Sequence, residues 1–299
     1  MRTLPKISIL TPSYNQGQFI EETILSVLNQ NYPNLEYVII DGGSTDGTQE
    51  IIRKYEQHLS YWVSETDRGQ AHAINKGLQF CTGDVFNWLN SDDYLEPGAL
   101  HAIAKAFEDP AVQLVAGKVR NFDEHSEEII QNQGLSAKGL MCWEPGVKFV
   151  QPGVWLRRSR IQTCGGIDEQ FHFAFDWDLY IRYLYHFPMV KELDKLLVHF
   201  RLHADSKTQS MLEKFALEER KIIECLAKRT DLPELLTTCH FKIQWAAWTN
   251  FLSELSQSNS SKWYKIRQTL LSMHQYPKVS YSRQTLGAIR AFMQNRNIA

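Results

Sequence analysis

The chain has 299 residues, 43% of them apolar, and a formal net charge of -2 at pH 7. That length and apolar content allow a sizeable buried core, which excludes a chain that stays disordered. The charge is divided unevenly, because residues 1–213 carry a net charge of -9 and residues 214–299 a net charge of +7. The two segments are expected to meet different partners, although a solvated basic helix face accounts equally well for the second value.

The cysteines and the apolar runs bear on location. The five cysteines are well separated and contain no Cys-x-x-Cys pair, so they predict neither a zinc site nor a redox site and fit a reducing compartment. No stretch near the N-terminus has the length of a signal peptide, and no window approaches the roughly 18 apolar residues that span a bilayer. We expect a cytoplasmic protein, with any membrane contact peripheral and at the inner face.

The first half of the chain alternates short apolar runs with amphipathic stretches, which predicts parallel strands joined by crossover helices. Apolar runs predict strands at residues 6–10, 36–40, 61–63, 85–89 and 113–116. Apolar residues at three- and four-residue steps predict helices at residues 19–28, 48–55, 70–80 and 99–107. The fold class is therefore α/β, a sandwich around a mostly parallel sheet.

The second half is less regular. Glycine and proline interrupt residues 117–175, which predicts a hairpin and loops that shape a second pocket. A helix is predicted over residues 176–185, and from about residue 215 onward the periodicity is helical only. We predict a catalytic domain over residues 1–213 and a helical C-terminal region over residues 214–299.

Polar residues end the predicted strands, where ligands bind in open α/β sheets. Thr-Pro-Ser-Tyr-Asn (11–15) follows the first strand, and Asp-Gly-Gly-Ser-Thr-Asp-Gly-Thr (41–48) follows the second, where an ordinary β-to-α turn is the alternative interpretation. Asn-Ser-Asp-Asp (90–93) follows the fourth strand. The adjacent carboxylates Asp92 and Asp93 suit Mg²⁺ or Mn²⁺, which would neutralise a diphosphate, although Asp93 could also cap a helix.

Together these segments resemble the family 2 glycosyltransferases in order and spacing over about residues 6–208. The resemblance implies a GT-A type, Rossmann-like α/β/α sandwich that transfers a sugar from a nucleotide-diphosphosugar with inversion and with a divalent metal. It assigns substrate or nucleotide contacts to twelve residues: Thr11, Pro12, Tyr14, Asn15, Asp41, Asp67, Arg68, Asn75, Asn90, Ser91, Arg201 and Lys207.

The resemblance also implies a metal site. The Asp-x-Asp motif of the family falls on residues 90–92, so Asp92 is the implied metal ligand and Asn90 departs from the pattern. An amide at Asn90 can bind a ribose hydroxyl or a metal-bound water but brings no charge. Asp93 keeps a second carboxylate nearby, and His203, in a segment similar to the Arg-x-His-x-x-Ser motif of the family, is expected to complete the metal shell or contact the diphosphate.

A general base is needed because the acceptor hydroxyl must lose its proton as it attacks the anomeric carbon. Residues 175–179 resemble the Glu-Asp-x-Asp-Leu motif of the family, which makes Asp176 the implied base, with Phe175 in place of the glutamate. Asp178 is the alternative base. Carboxylates in a first helical turn are also favoured by the helix dipole alone.

The expected function is therefore an inverting glycosyltransferase of polysaccharide, lipopolysaccharide or glycoprotein glycan synthesis. A UDP-sugar is the preferred donor because Asp41 can accept from a base imino group, although guanine and thymine carry the same donor. One rival is a sugar-phosphate nucleotidyltransferase, but residues 13–18 lack the required glycine- and lysine-rich loop. The other rival is an inactive sugar- or nucleotide-binding scaffold protein, suggested by Asn90 and Phe175.

The partners expected are a nucleotide-diphosphosugar and a glycan or lipid-linked acceptor, and no nucleic acid. For the C-terminal region, the +7 charge and the interleaved Trp, Phe and Leu residues suggest peripheral attachment to an anionic membrane surface. A homodimer or a packing helix pair is an equal alternative.

Overall fold

A computed structural model describes residues 4–203 and 212–294 of the chain. The chain divides into two compact units, residues 1–218 and 219–299. The helix Leu212–Leu226 contains the division, five residues beyond the boundary predicted from sequence. The two units are described separately below.

One mixed sheet organises the first unit. Its nine strands are β1 Ile7–Ser13, β2 Leu35–Asp41, β3 Tyr61–Ser64, β4 Val85–Trp88, β5 Tyr94–Leu95, β6 Leu114–Phe122, β7 Glu127–Gln131, β8 Val154–Arg157 and β9 Val190–Arg201. The strand order is β3-β2-β1-β4-β8-β6-β9-β5, and β7 pairs with β6. Strands β1 to β4 are parallel, as are β6 and β9, whereas β5, β7 and β8 run antiparallel to their neighbours.

Helices cover the sheet because each has an apolar stripe that must be buried. They are α1 Ile20–Leu28, α2 Thr48–Lys54, α3 Gln70–Leu78, α4 Ala99–Ala106, α5 Ala137–Cys142, α6 Arg158–Thr163 and α7 Phe175–His186; the next helix, α8 Leu212–Leu226, contains the division between the units. In α1 the buried residues Ile20, Ile24 and Val27 recur at helical spacing. Helix α3 approaches β1 so closely that a Cβ on Gly77 would lie 2.2 Å from Leu10 Cδ1, so only glycine fits there.

The structure confirms the predicted α/β class, the five predicted strands (β1 to β4 and β6), the four helices between them, the hairpin and the helix near residues 176–185. Strands β5, β8 and β9 were not predicted. Strand β5 has two residues and β8 has four, too few for a periodic pattern to be recognised. Because of them the sheet is mixed beyond β4 rather than mostly parallel.

The second unit is helical in its described residues, as predicted. Its helices after α8 are α9 Pro233–Gln257, α10 Lys262–Ser272 and α11 Arg283–Met293. Trp248, Leu252 and Phe292 are buried in a small core of their own, and the Trp248 indole N–H donates to Thr285 Oγ1 at 2.8 Å. None of the helices in the described ranges is both long enough and apolar enough to cross a membrane.

Candidate active site

The carboxyl ends of β1, β2 and β3 form one wall of the candidate site. Tyr14 follows β1 and is 62% exposed, and Asp67 follows β3 and is half-buried. A Cβ on Gly42, just after β2, would lie 2.8 Å from Asp67 Oδ2 and 3.3 Å from Tyr14 Cδ2. The missing side chain at Gly42 therefore allows an aromatic ring and a carboxylate to lie side by side at the strand ends.

Asp41 organises the loop after β2 instead of facing a ligand. It is fully buried, and one of its oxygens accepts hydrogen bonds from Gly43 N–H, Ser44 N–H and Ser64 Oγ. Its other oxygen accepts from Ser44 Oγ at 2.5 Å. Because both oxygens are used inside the protein, the predicted contact between Asp41 and a nucleobase is not supported by this geometry.

Thr11 and Pro12 are also buried, which corrects their predicted role as direct ligand contacts. Thr11 Oγ1 lies 3.1 Å from the Tyr37 hydroxyl inside the sheet. Asn15, in contrast, is exposed and has a left-handed backbone with φ +51°. Its Oδ1 accepts from Thr45 N–H at 3.0 Å, so Asn15 joins the loops after β1 and β2.

The two adjacent carboxylates of the loop after β4, Asp92 and Asp93, have different surroundings. Asp93 is fully buried and accepts hydrogen bonds from Arg201 N–H and the Asn90 side-chain amide. Burial, and after it the neighbouring charge of Asp92, raise the pKa of Asp93 well above its ordinary value. Asp93 therefore lies where a metal ligand would not be expected, which corrects its predicted role.

The other two residues of this loop also face the protein. Asn90 Oδ1 accepts a hydrogen bond from Gln70 Nε2 at 2.7 Å, and the Ser91 side chain is buried.

Asp92 and His203 come together at the site although 111 residues separate them in the chain. His203 Nε2 lies 2.9 Å from Asp92 Oδ2, and the two side chains are 17% and 20% exposed. The His203 ring also packs against Phe19, with ring centroids 5.0 Å apart. A carboxylate and an imidazole are one hard and one intermediate ligand for a divalent cation.

This pair fits a nucleotide-bound cation better than a metal site made by protein alone. Within residues 4–203 and 212–294, no cluster of three or more His, Cys, Asp or Glu side chains could hold a metal ion. Mg²⁺ in nucleotide sites takes one or two protein carboxylates and completes its shell with phosphate oxygens and water. Asp92 and His203 meet that requirement.

Arg201 was predicted to contact the substrate or the nucleotide, but its guanidinium is used inside the protein. Its guanidinium donates to the Asp92 carbonyl and, at 2.5 Å, to Glu22. It lies between the rings of Phe19 and Phe122, at 4.9 and 4.8 Å from their centroids. Arg201 thus fixes the backbone of the Asp92 loop. Lys207, predicted beside it, lies outside the described residues.

Arg68 and Asn75 tie the loop after β3 to the segment before α7. Arg68 and Asn75 donate to the two carboxylate oxygens of Glu169, at 2.7 and 3.0 Å. Burial raises the pKa of Glu169, but these hydrogen bonds and the Arg68 charge outweigh it, so the pKa is lowered. Asn75 therefore supports the loop, while Arg68, 71% exposed at its side chain, is paired with Glu169.

The two possible bases in α7 have different surroundings. Asp176, in the first turn, is half-buried, whereas Asp178 is buried and pairs with Arg182 at 2.5 Å. A buried, ion-paired carboxylate cannot reach an acceptor, so the structure disfavours Asp178. Phe175 is buried and packs on Trp88 of β4, with ring centroids 6.1 Å apart, so it links the start of α7 to the strand that carries the Asp92 loop.

Glu218 of α8 is a site residue that the sequence did not reveal. Its buried carboxylate accepts from three consecutive backbone N–H groups, of His172, Phe173 and Ala174, at 2.7 to 2.9 Å. This segment leads directly into α7 and Asp176, so Glu218 fixes the start of that helix. The two partners are 44 to 46 positions apart, and no local motif predicts a contact at that separation.

The chain matches the family model described as glycosyl transferase family 2 over residues 8–167. It is 26% identical over 223 residues to a chondroitin synthase of Escherichia coli, covering 71% of this chain and 31% of that protein. It is 30% identical over 212 residues to a hyaluronan synthase of Pasteurella multocida, covering 68% of this chain and 21% of that protein. The chain thus spans less than a third of the length of either synthase.

Solved structures share the fold. The structure of S. aureus TarS 1–349 in complex with UDP aligns with a TM-score of 0.65 at 16% identity, covering 97% of this chain and 92% of that one. A mannosyltransferase from Pyrobaculum calidifontis, in complex with GDP-Man and Mn²⁺, aligns with a TM-score of 0.59 at 18% identity, covering 97% of this chain and 85% of that one.

Proposed function

Because the chain belongs to glycosyl transferase family 2, we propose that it transfers a sugar from a nucleotide-diphosphosugar to a hydroxyl group of a growing glycan, with inversion at the anomeric carbon. The observation that carries the proposal is the Asp92–His203 pair, with its 2.9 Å contact, at the ends of the parallel strands. Two further findings support sugar transfer as the class of reaction. The family is one of glycosyl transferases, and similar proteins include a chondroitin synthase and a hyaluronan synthase.

The donor is proposed to bind along the wall formed by Tyr14, Gly42 and Asp67. Tyr14 offers an exposed ring for a base to stack on, and Asp67 replaces Asp41 as the acceptor for a base imino N–H, because Asp41 is used inside its own loop. UDP is the proposed nucleotide, and the similar fold of a protein solved with UDP supports it.

Asp92 and His203 would hold the cation that the diphosphate brings. When bound, Mg²⁺ or Mn²⁺ supplies positive charge that stabilises the diphosphate as it leaves. The neighbouring residues keep the two ligands in place, because Arg201 donates to the Asp92 carbonyl and Phe19 packs on His203. These contacts matter for function, because the residues of a catalytic site must be held in the geometry that the reaction requires.

Asp176 is proposed to take the proton of the acceptor hydroxyl. The acceptor oxygen then forms a bond to the anomeric carbon as the bond from that carbon to the diphosphate breaks, and an α-linked donor yields a β-linked product. Asp176 is half-buried in the first turn of α7, next to the segment that Glu218 fixes. General-base assistance of this kind contributes about 10² to 10⁴ in rate.

Thermal stabilisation by nucleotides tests the donor site directly. UDP, GDP and dTDP would each be added with and without Mn²⁺ to the wild type, to Asp92→Ala and to the control Glu128→Ala, which removes an exposed carboxylate of β7. A ligand that binds only the native state raises Tm by mass action. We expect a rise with UDP that requires Mn²⁺, persists in Glu128→Ala and is lost in Asp92→Ala.

A rise that survives in Asp92→Ala would refute the proposed metal site. If no nucleotide raises Tm, the hypothesis of an inactive scaffold protein is favoured. Asn90 and Phe175 are the residues that suggest this hypothesis. Both positions depart from the family motifs, and the structure uses both side chains internally, Asn90 with Gln70 and Asp93, and Phe175 with Trp88.

We also propose that the second unit binds an anionic lipid surface. No acidic residue follows Glu254, whereas seven basic residues do. Large apolar side chains are exposed among them, including Trp263 at 70%, Leu270 at 55% and Leu286 at 70%. Exposed basic and apolar side chains together favour a lipid headgroup layer, with about 1 kcal/mol contributed by each nearby Lys or Arg.

Co-sedimentation with vesicles tests this second proposal on the full chain. We expect binding to vesicles that contain phosphatidylglycerol, none to phosphatidylcholine vesicles, and loss of binding in Lys262→Glu/Arg267→Glu/Arg283→Glu. The matched control is Lys105→Glu/Lys138→Glu/Lys191→Glu, which reverses the same number of charges in the first unit. Equal loss in both variants, or a stable dimer that binds no vesicles, would refute lipid attachment in favour of self-association.

A further inference from the structure

Trp143 is an exposed aromatic residue that no sequence motif and no step of the proposed reaction uses. It lies directly after α5 and is 47% exposed, whereas Trp88, Trp155 and Trp177 of the same unit are buried. Its ring stacks on that of Trp177, with centroids 6.3 Å apart and an angle of 9° between the planes. The Trp177 indole N–H donates in turn to the Leu140 carbonyl at 3.1 Å. Trp143 therefore rests on a fixed, buried ring.

The loop that starts at Trp143 borders the proposed base. Trp177, which Trp143 covers, is the residue after Asp176 on α7. At the other end of the loop, Phe149 packs edge-on against Tyr180, one helical turn after Asp176, with ring centroids 4.9 Å apart. Both ends of the loop thus pack against α7 side chains that lie within about one helical turn of Asp176, so the exposed indole is held beside the helix that carries the proposed base.

The backbone conformation of Trp143 is one that a bulky side chain disfavours. Trp143 has φ +46° and ψ +52°, the left-handed conformation that side chains with a Cβ disfavour. The Glu144 N–H donates to the Gly139 carbonyl at 3.0 Å and closes the end of α5, an arrangement in which glycine is the usual residue. A bulky residue held in this conformation is typical of functional sites.

We propose that Trp143 is a stacking platform for a sugar ring of the acceptor. One face of a pyranose ring presents C–H groups and is apolar, while the hydroxyls point outward. A flat indole binds that face and leaves a hydroxyl free to approach Asp176. This inference rests on the proposed transferase function and deepens it, because it names the residue that would bind the sugar ring of the acceptor.

Acceptor kinetics of three proteins test the platform: the wild type, Trp143→Gly and Trp143→Phe. The acceptors are the methyl β-glycosides of glucose, galactose, N-acetylglucosamine and glucuronic acid, with glycerol 3-phosphate as the acceptor without a ring. We expect at least one glycoside to be glycosylated. Trp143→Gly should raise its KM about tenfold, the loss of one good aromatic contact, while Trp143→Phe raises it less than threefold.

Trp143→Gly also relieves the left-handed strain, so it is expected to fold and to keep the wild-type Tm rise with UDP and Mn²⁺. An unchanged glycoside KM in Trp143→Gly would overturn the platform. So would a wild type that binds UDP but glycosylates glycerol 3-phosphate alone or none of the acceptors. Failure of the transferase proposal looks different, because the wild type would then show no nucleotide-dependent rise in Tm.

Discussion

At the residue scale, burial separates carboxylates that look equivalent in the sequence. Asp92 and Asp93 are adjacent, yet Asp92 is partly exposed beside His203 while Asp93 is fully buried and has a raised pKa. Asp176 and Asp178 differ in the same way, since only Asp178 is paired with a buried arginine. In each pair the less buried carboxylate is the one proposed for chemistry, and the more buried one supports the fold.

For the pair in α7 we predict that substitution of Asp178 lowers stability, whereas substitution of Asp176 lowers activity. Asp178→Asn is expected to lower the free energy of unfolding by about 3 kcal/mol, because it leaves the buried Arg182 without its charge partner. Asp176→Asn is expected to change the free energy of unfolding by less than about 1 kcal/mol, as a half-exposed position should, and to lower kcat by about 10³.

Urea unfolding and sugar-transfer assays of the two variants check this prediction. Nucleotide-induced stabilisation should stay intact in Asp176→Asn, because a base on the acceptor side does not hold the donor. A stable but inactive Asp178→Asn, together with an active Asp176→Asn, would reassign the base to Asp178.

At the scale of elements, the start of α7 depends on another helix. Glu218 of α8 binds the N–H groups of residues 172–174, and Gly69, in the loop after β3, lies where a Cβ would be 3.6 Å from His172 Nδ1. The segment that leads into the base-bearing helix is therefore held by α8 and lies beside the loop after β3. Displacement of that segment should move Asp176 without touching the donor wall.

Glu218→Gln tests this link. The amide keeps one acceptor oxygen and loses the charge, so we expect a loss of about 2 kcal/mol in the free energy of unfolding, the value of charge-assisted hydrogen bonds. We expect kcat to fall about tenfold with an unchanged KM for the donor, because only the acceptor side is displaced. Steady-state kinetics and amide hydrogen exchange of residues 172–176 measure the effect.

The matched control is Glu213→Gln, an exposed glutamate of the same helix, which should behave as the wild type. If Glu218→Gln lowers stability but leaves kcat and the exchange of residues 172–176 unchanged, Glu218 stabilises the unit without positioning the base.

At the scale of the whole molecule, a buried carboxylate joins the strands of the first unit. Glu36 of β2 accepts from Lys6 Nζ at 2.6 Å, from Ser8 Oγ of β1 at 2.5 Å, and from Thr82 before β4. Burial raises the pKa of Glu36, but these hydrogen bonds outweigh it and lower the pKa from 4.5 to about 2. The three central strands are thus held at their amino ends by a group that must stay ionised.

This pKa predicts the acid sensitivity of the fold. A lowered folded pKa means that Glu36 stabilises the fold fully above its unfolded pKa of 4.5 and loses this effect as the pH falls towards about 2. Glu36→Gln is expected to cost about 2 kcal/mol at pH 7, and the difference from the wild type should shrink between pH 4.5 and 2.

Unfolding curves of the wild type and Glu36→Gln across this pH range measure the difference, with the exposed Glu56→Gln as the control that should show none. A difference that stays constant down to pH 2 would mean that packing, and not the charge of Glu36, accounts for the loss.

Much of the architecture was decided by the sequence alone. The parallel strands β1 to β4, the helices after them and the polar residues at the strand ends follow from local periodicity and turn residues, which neighbouring positions encode. The motifs also indicated Asp92, His203 and Asp176 as the residues of the site, and their proposed roles await the experiments above. These features need no knowledge of distant contacts.

Tertiary structure decided which polar groups are buried and used inside the protein. Asp41, Asp93, Asp178 and Arg201 lie in or beside the same motifs as Asp92, but the fold uses them internally. Ser44 and Arg182 bind Asp41 and Asp178 from nearby positions, whereas Asp93 accepts from Arg201 and Arg201 donates to Glu22 across 108 and 179 positions. The strands β5 and β8 are too short to show a pattern, and Glu218 acts across more than forty residues. Burial and hydrogen-bond partnership depend on the folded neighbourhood, so they cannot be read from spacing along the chain.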